Sequence, residues 1–124
     1  LKHQVKILDK KFADMPANSS MLIATPKIID QFVRKIPKGK SKTLKQMRES
    51  LAKKYSAEYT CPVTSGIFLR IVAEAAFENY ISGKQPLDKI TPFWRIIEEN
   101  SPLAKKLTFG EDFIHQMKKR ELEK

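Results

Sequence analysis

Residues 43–80 read TLKQMRESLAKKYSAEYTCPVTSGIFLRIVAEAAFENY, and this stretch decides the fold. A capping box, Thr43 with Gln46, predicts the start of a helix that has one apolar face and a basic opposite face. A second, longer helix is predicted from an apolar stripe that consists of Ile67, Phe68, Ile71, Val72, Ala75, Ala76 and Tyr80. Residues 61–66 form the turn between the two. Helix, turn and helix in this order are typical of a helix-turn-helix unit, whose second helix normally enters a DNA groove.

Two further helices are predicted on either side of this stretch. The first begins at Thr25 and Pro26, because threonine caps free backbone N–H groups and proline suits the first helical turn. Its apolar residues recur every three or four positions and define one buried face. The last helix is expected from Gly110 or Glu111 to about Leu122. The chain is therefore mainly helical.

Short β structure is expected in two places. Residues 21–24 predict a short strand or an extended lead-in, and residues 93–97 predict a strand or a turn that feeds one. We therefore expect a mainly α, α+β fold, namely a winged-helix-like helix-turn-helix domain with a short β element. This domain would cover residues 25–124, after an N-terminal extension over residues 1–24.

The composition favours one soluble domain without a metal site. A chain of 124 residues supports one modest core, and 41% hydrophobic with 31% charged residues is ordinary for a globular protein. Its apolar runs fall far short of the roughly 20 residues that span a bilayer. With Cys61 as the single cysteine and only two histidines, neither a disulfide framework nor a metal site is predicted. We expect a monomer in a reducing cytoplasm, with no cofactor.

The positive charge is concentrated in one part of the chain. Of the formal net charge of +10, residues 1–60 carry most, with 14 lysines and arginines against 5 acidic residues, whereas residues 61–124 hold 10 against 9. A concentrated positive field favours a polyanion, because each neutralised phosphate releases counterions. A solubilising lysine-rich surface is the alternative interpretation. The candidate phosphate contacts are Lys38, Lys40, Lys42, Lys45 and Arg48.

The segment Thr91-Pro92-Phe93-Trp94-Arg95-Ile96-Ile97 resembles the active-site segment of the alkylguanine DNA alkyltransferases, usually written PCHRV. Other motifs follow the order of that family over roughly residues 26–107, namely Ile36-Pro37-Lys38-Gly39-Lys40 and the segment from Arg70 to Ala75 with Asn79 downstream. In the family, the cysteine takes an alkyl group from damaged guanine and the histidine activates it. Here Phe93 and Trp94 stand at these positions, and neither ring can attack carbon or relay a proton. The chain therefore looks closest to the alkyltransferase-like proteins, which lack this cysteine and bind damaged DNA without repairing it.

The resemblance also implies roles for single residues. Arg70 matches the arginine finger that enters the base stack and replaces the flipped guanine, a role that suits a planar and always charged guanidinium. The alternative is an ordinary surface arginine, and in both cases the predicted apolar stripe leaves Arg70 on the solvent side of its helix. Leu44 replaces a tyrosine that presses on the target phosphate. Arg95 corresponds to an arginine that is mainly structural in the family.

Three features keep two interpretations each. Phe93 and Trp94 either stack on an extruded base or fill the core, and the core is favoured. Cys61 is either a relocated redox or alkyl-accepting thiol at a helix N-terminus or, as favoured, a small semi-buried residue. Thr64 and Ser65 either bind phosphate at the start of the helix or simply cap it.

The sequence thus predicts a non-catalytic DNA-binding protein that resembles alkyltransferase-like proteins and recognises damaged or alkylated DNA. DNA is the expected partner, and neither a membrane nor a small-molecule cofactor is predicted. The alternative is a protein-interaction or regulatory module that retains the fold and uses its charge for acidic proteins. An enzyme that uses Cys61 is a third, less favoured interpretation.

Overall fold

The computed structural model describes residues 2–122 and shows an α+β fold, about half helical, with one small three-stranded sheet. Within this range, none of the helices combines the length and apolar character needed to cross a membrane. Two short 3-10 turns cover Leu87–Lys89 and Phe93–Arg95. The remaining elements in chain order are β1 (Gln4–Ile7), β2 (Ser20–Ile23), α1 (Pro26–Arg34), α2 (Leu44–Lys54), β3 (Tyr59–Thr60), α3 (Pro62–Ile81), α4 (Pro102–Lys105) and α5 (Asp112–Leu122).

The predicted helix boundaries that rest on local capping are confirmed. The Thr25 side chain accepts a hydrogen bond from the backbone N–H of Ile28 at 3.2 Å, directly before α1. Thr43 and Gln46 form the reciprocal capping box of α2, with bonds of 3.0 and 2.8 Å. After α3 the chain adopts a φ of +80° at Gly83, a conformation that glycine reaches without steric cost. The last helix, α5, also lies where it was expected.

The sheet is formed by the two N-terminal strands, β1 and β2, and by β3. Strand β2 is central, because it pairs antiparallel with β1 and parallel with β3. Its Leu22 lies opposite Thr60 of β3, and its carbonyl also accepts the N–H of Cys61 at 2.8 Å. The hairpin formed by β1 and β2 covers a small second core of Met15, Met21 and Cys61. Residues of the predicted extension therefore contribute to both the sheet and the buried interior.

The strand interpretation of residues 93–97 is wrong, and the alternative of a turn is correct, although this turn leads to helix α4 and not to a strand. The backbone N–H of Arg95 donates to the carbonyl of Pro92 at 3.0 Å, and that of Ile97 donates to Phe93 at 2.9 Å, so the segment turns on itself. The β-forming residues here are buried rather than paired with a neighbouring strand, and burial is a large part of what β-propensity reflects. The two rings at 93 and 94 pack in an aromatic cluster with Phe77, Phe109 and Phe113.

The predicted buried stripe of α3 is only partly correct. Ile67 and Ile71 are 51% and 48% exposed, and Ala75 is exposed as well. The buried face instead consists of Ser65, Leu69, Val72, Ala73 and Ala76. Apolar residues occur nearly all round this helix, so periodicity alone does not select the face that packs against α1. The helix also begins at Pro62, which places most of the predicted turn over residues 61–66 inside its first turns.

Candidate nucleic-acid interface

A groove of about 1000 Å³ lies between α2, α3 and the chain that follows the Phe93–Arg95 turn. Residues 43–45 at the start of α2 form one end, the exposed side of α3 forms one wall, and residues 96–108 contribute the other wall. Its apolar lining includes Leu44, Val63, Ile67, Ile71, Ile97 and Leu103, and its charged lining consists of Lys45, Arg70, Glu74, Glu98 and Lys106. The groove therefore offers an apolar floor beside several charged side chains.

Arg70 borders this groove and is only weakly engaged by the protein. Its side chain is 42% exposed, and its Nε lies 3.9 Å from Oε2 of Glu74, one helical turn away. No closer ion pair of Arg70 occurs within residues 2–122. Arg70 thus lies on the solvent side of α3 as expected, although Ile71, which was expected to be buried, shares that side.

Glu74 fixes the far wall of the groove to α3. Its Oε2 accepts the backbone N–H of Thr108 at 2.8 Å, and its Oε1 accepts the hydroxyl of Thr108 at 2.5 Å. Because both carboxylate oxygens are already engaged, the long contact to Arg70 adds little. The guanidinium consequently keeps most of its hydrogen-bonding capacity for a ligand.

The four candidate lysines before and at the start of α2 are exposed, and no ion pair to them occurs in the described part of the chain. They are Lys38, Lys40, Lys42 and Lys45. Arg48 differs from them, because its Nε donates to the carbonyl of Thr60 at 3.0 Å and its own carbonyl accepts the Thr60 hydroxyl at 2.7 Å. Arg48 therefore joins α2 to β3 and is at most a secondary phosphate contact.

Thr64 and Ser65 lie in the first turn of α3 but point away from solvent. The Ser65 hydroxyl is buried and donates to the carbonyl of Cys61 at 2.6 Å. The Thr64 hydroxyl oxygen is buried too and finds no hydrogen-bond partner among the described residues. Neither hydroxyl is placed to bind phosphate, and neither caps the helix, because the described residues include no side-chain capping hydrogen bond at the N-terminus of α3.

Phe93 and Trp94 belong to the core. Phe93 is completely buried and Trp94 is 3% exposed, and their ring centroids lie 5.4 Å apart. Pro92 before them is buried as well. Phe93 offers no face to an extruded base, and Trp94 borders two recesses with only 3% of its surface exposed, so neither ring is placed to stack on a base. The apolar groove lies beside this turn, and the two rings are not among the residues that line it.

Cys61 is not part of the groove either. Its side chain is 4% exposed and lies with Met15 and Met21 beneath the hairpin. This agrees with the interpretation of Cys61 as a small buried residue. Within residues 2–122, no group of three or more histidine, cysteine or carboxylate side chains is arranged to hold a metal ion.

Arg95 connects three segments at the back of the turn. Its guanidinium pairs with the Glu121 carboxylate of α5 at 2.7 Å and donates to the carbonyl of Ile36 at 2.8 Å. Its own carbonyl accepts the backbone N–H of Lys42 at 2.9 Å, and the N–H of Gly39 reaches Glu121 at 3.4 Å. The loop that carries the candidate lysines is therefore held at both ends and in its middle. This geometry fits the structural role expected for Arg95.

Glu121 is an anchored carboxylate with a depressed pKa. Burial alone would raise its pKa, but the hydrogen bonds and charge of Arg95, with Trp94 and Gly39 nearby, outweigh burial and hold the pKa below its ordinary value. The indole N–H of Trp94 lies close enough to contribute to this shift, yet it makes no hydrogen bond of good geometry within residues 2–122. The side chain of Glu121 is only 7% exposed. The carboxylate is thus ionised in the folded chain over a wider pH range than a free one.

The basic residues of α5 and the second half of the groove were not predicted from the sequence. Lys118 and Arg120 border recesses that they share with Lys40 and Lys38, although some 80 positions separate them in the chain. Lys106 lines the groove beside α3. The nearly balanced charge of residues 61–124 hid these cations, because 9 acidic residues offset 10 basic residues in the count. No local pattern predicts such proximity.

Comparison with known proteins found no matching family model, no similar curated protein and no similar solved structure.

Proposed function

We propose that this chain is a non-catalytic DNA-binding protein that recognises damaged or alkylated duplexes, as alkyltransferase-like proteins do. In this proposal, α2 and α3 act as a helix-turn-helix pair within a winged-helix-type domain. The exposed lysines before α2 hold the phosphate backbone, and the outer side of α3 faces the bases. The protein would bind DNA in a cell's cytoplasm without a cofactor.

The observation that carries this proposal is the placement of Arg70. Its guanidinium is half exposed, weakly paired and next to an apolar groove that Lys45 also lines. A planar cation beside an apolar surface suits insertion into a base stack, because the guanidinium both stacks and donates hydrogen bonds. An arginine that merely solubilised the surface would not require an adjacent groove.

The proposed protein is non-catalytic because the candidate nucleophile positions are buried. By the sequence resemblance, Phe93 and Trp94 stand at the positions of the alkyltransferase nucleophile and its base, and both are buried. The one thiol, Cys61, is buried beneath the hairpin and lies outside the groove. An alkyl group bound near Arg70 would therefore meet no nucleophile of the family type.

A second candidate, the protein-interaction module, is favoured by one specific observation. Val63, Ile67 and Ile71 are each about half exposed and follow one another at four-residue spacing along α3. Exposed apolar side chains in a row commonly mark a protein contact. An acidic protein with an apolar segment would complement such a row and the nearby lysines.

Binding of fluorescent duplexes tests the proposal and separates the two candidates. We expect the chain to bind duplex DNA, to prefer a duplex that contains methylguanine, and to leave the methyl group on the base. Radiolabel in the methyl group should stay with the DNA when the protein is recovered. No binding at low salt would favour the interaction module, and stoichiometric label on Cys61 would overturn the non-catalytic assignment.

A further inference from the structure

We infer that the C-terminal helix α5 forms part of the phosphate-binding surface, together with the loop before α2. The partner is the phosphate backbone of duplex DNA, so this inference rests on the DNA binding proposed above. The joint basic surface consists of Lys38 and Lys40 of the loop and Lys118 and Arg120 of α5. The sequence places these residues far apart, and only the fold brings them together.

The two halves of the joint basic surface meet along shared recesses. Lys38 and Arg120 border one recess of about 660 Å³, and Lys40 and Lys118 border a second of about 210 Å³. Three of the four lysines and arginines are exposed, and Lys118 is half-buried. Each recess therefore has a cation from the loop and a cation from α5 at its border.

Glu121 holds these two halves in register. The carboxylate pairs with Arg95 and receives the N–H of Gly39, which lies between the two loop lysines. The backbone carbonyl of Glu121 is also close to Gly39, 3.8 Å from the position that a Cβ would take there. The loop thus packs directly on the last turn of α5, and its lysines cannot move far from those of the helix.

The local carboxylates leave the joint basic surface with a positive excess. Glu121 is nearly enclosed and is neutralised by Arg95, while Asp30 is paired with Arg34 at 2.8 Å. Asp88 lies on the wall of the larger recess and is the remaining carboxylate among the residues that line the two recesses. Four cations therefore face one free carboxylate in the described structure. Such an excess on a fixed scaffold favours a phosphate chain, because binding releases counterions without ordering the loop anew.

The experiment compares two double variants that remove the same charge. Lys118→Ala with Arg120→Ala removes the α5 half of the surface, whereas Lys27→Ala with Lys84→Ala removes two exposed lysines from other parts of the chain. Binding of a fluorescent random-sequence duplex is measured over a range of salt concentrations. We expect the α5 variant to bind about tenfold more weakly at low salt. The magnitude of its negative log–log salt slope should fall by about 2, because each lost phosphate contact removes about 0.9. The control should retain nearly the full slope.

Glu121→Gln provides a second test with an opposite electrostatic expectation. Charge alone predicts tighter DNA binding, because the substitution removes a negative charge beside the loop. Anchoring predicts weaker binding, together with faster hydrogen exchange at the Gly39 amide in the free protein. Tighter binding with unchanged exchange at Gly39 would overturn the anchoring role.

The outcomes separate this inference from the proposed function. If the unaltered chain binds the duplex and both double variants bind alike, α5 lies outside the interface and only the inference is wrong. If the unaltered chain ignores the duplex at low salt, the proposed function fails and the inference fails with it. A selective loss in the α5 variant supports both.

Discussion

Arg70 is the single side chain whose substitution tests lesion recognition most directly. Arg70→Ala should weaken binding to mismatched or methylguanine-containing duplexes more than to plain duplexes, because only an opened base stack admits the inserted guanidinium. Folding stability should change by less than about 0.5 kcal/mol, because the contact to Glu74 is long and solvated. Fluorescence titrations with the three duplexes and urea unfolding measure the two effects.

Arg70→Lys is the matched control for this prediction. Lysine keeps the positive charge but lacks the planar fork, so it should restore binding to plain duplex and not to damaged duplex. An equal loss on both kinds of DNA would reduce Arg70 to a phosphate contact. A large loss of stability would show instead that Arg70 is structural.

Phe93 is expected to be a core residue whose loss costs stability rather than DNA recognition. Phe93→Ala should lower the free energy of unfolding by about 3–5 kcal/mol, because it leaves a cavity among Phe109, Phe113 and Trp94. Chemical denaturation followed by circular dichroism measures the change. The control is Phe12→Ala, where the ring is already 39% exposed and the cost should be under about 1.5 kcal/mol. Similar losses for the two variants would contradict the assignment.

At the scale of single elements, the contact between α5 and the loop before α2 involves one carboxylate, that of Glu121. Because the pKa of Glu121 is lower in the folded chain than its ordinary value of 4.5, the folded state binds fewer protons than the unfolded state at acidic pH. The stabilisation is therefore complete above that ordinary value and is lost as the pH falls through the lowered folded value.

Glu121→Gln should accordingly remove a pH-dependent part of the stability. We expect a loss of about 2 kcal/mol at neutral pH, because the hydrogen bonds to Arg95 lose their charge. The difference from the unaltered chain should shrink as the pH drops below 4.5. Urea unfolding at several pH values measures it, with the exposed Glu49→Gln as control. A difference that stays constant down to strongly acidic pH would show that the Glu121 charge is unimportant.

Helix α3 was predicted correctly as an element, but the face that it buries was not. Its existence and its end at Gly83 follow from local sequence, and both are confirmed. Helix α1 is a packing partner of α3, and Leu69 and Ala73 lie in the core with α1 residues, whereas Ile67 and Ile71 line the groove. When apolar residues surround a helix, the packing partner decides between two nearly equivalent faces.

At the scale of the whole molecule, the charge distribution predicts salt-sensitive DNA binding. If about three to five phosphates are neutralised, the log–log salt slope should be roughly −3 to −5. Substitution of Lys40, Lys42 and Lys45 by alanine should weaken binding to all duplexes alike and flatten this slope, since the proposed contacts of these lysines are to the backbone rather than the bases. Anisotropy titrations at increasing salt measure both. A slope that the triple substitution leaves unchanged would place the DNA elsewhere on the protein.

The sequence by itself determined the features that depend on a few neighbouring residues. Thr25 and Thr43 begin their helices because a side-chain oxygen caps N–H groups only two or three residues away. The lysines from Lys38 to Lys45 were likewise recognised as a basic segment, because they lie close together in the sequence. These features do not require knowledge of what packs against them.

Only the tertiary structure decided the features that depend on distant partners. A turn stands at Phe93 where a strand was predicted, and the Phe93 ring packs against the rings of Phe109 and Phe113. Glu74 joins Thr108 at the groove to α3, and Glu121 joins α5 to Arg95 and to Gly39 of the loop. These contacts join positions that lie 16 to 82 residues apart in the chain. No local sequence pattern encodes them. Their physical reason is mutual burial and charge pairing, which exist only once the chain has folded.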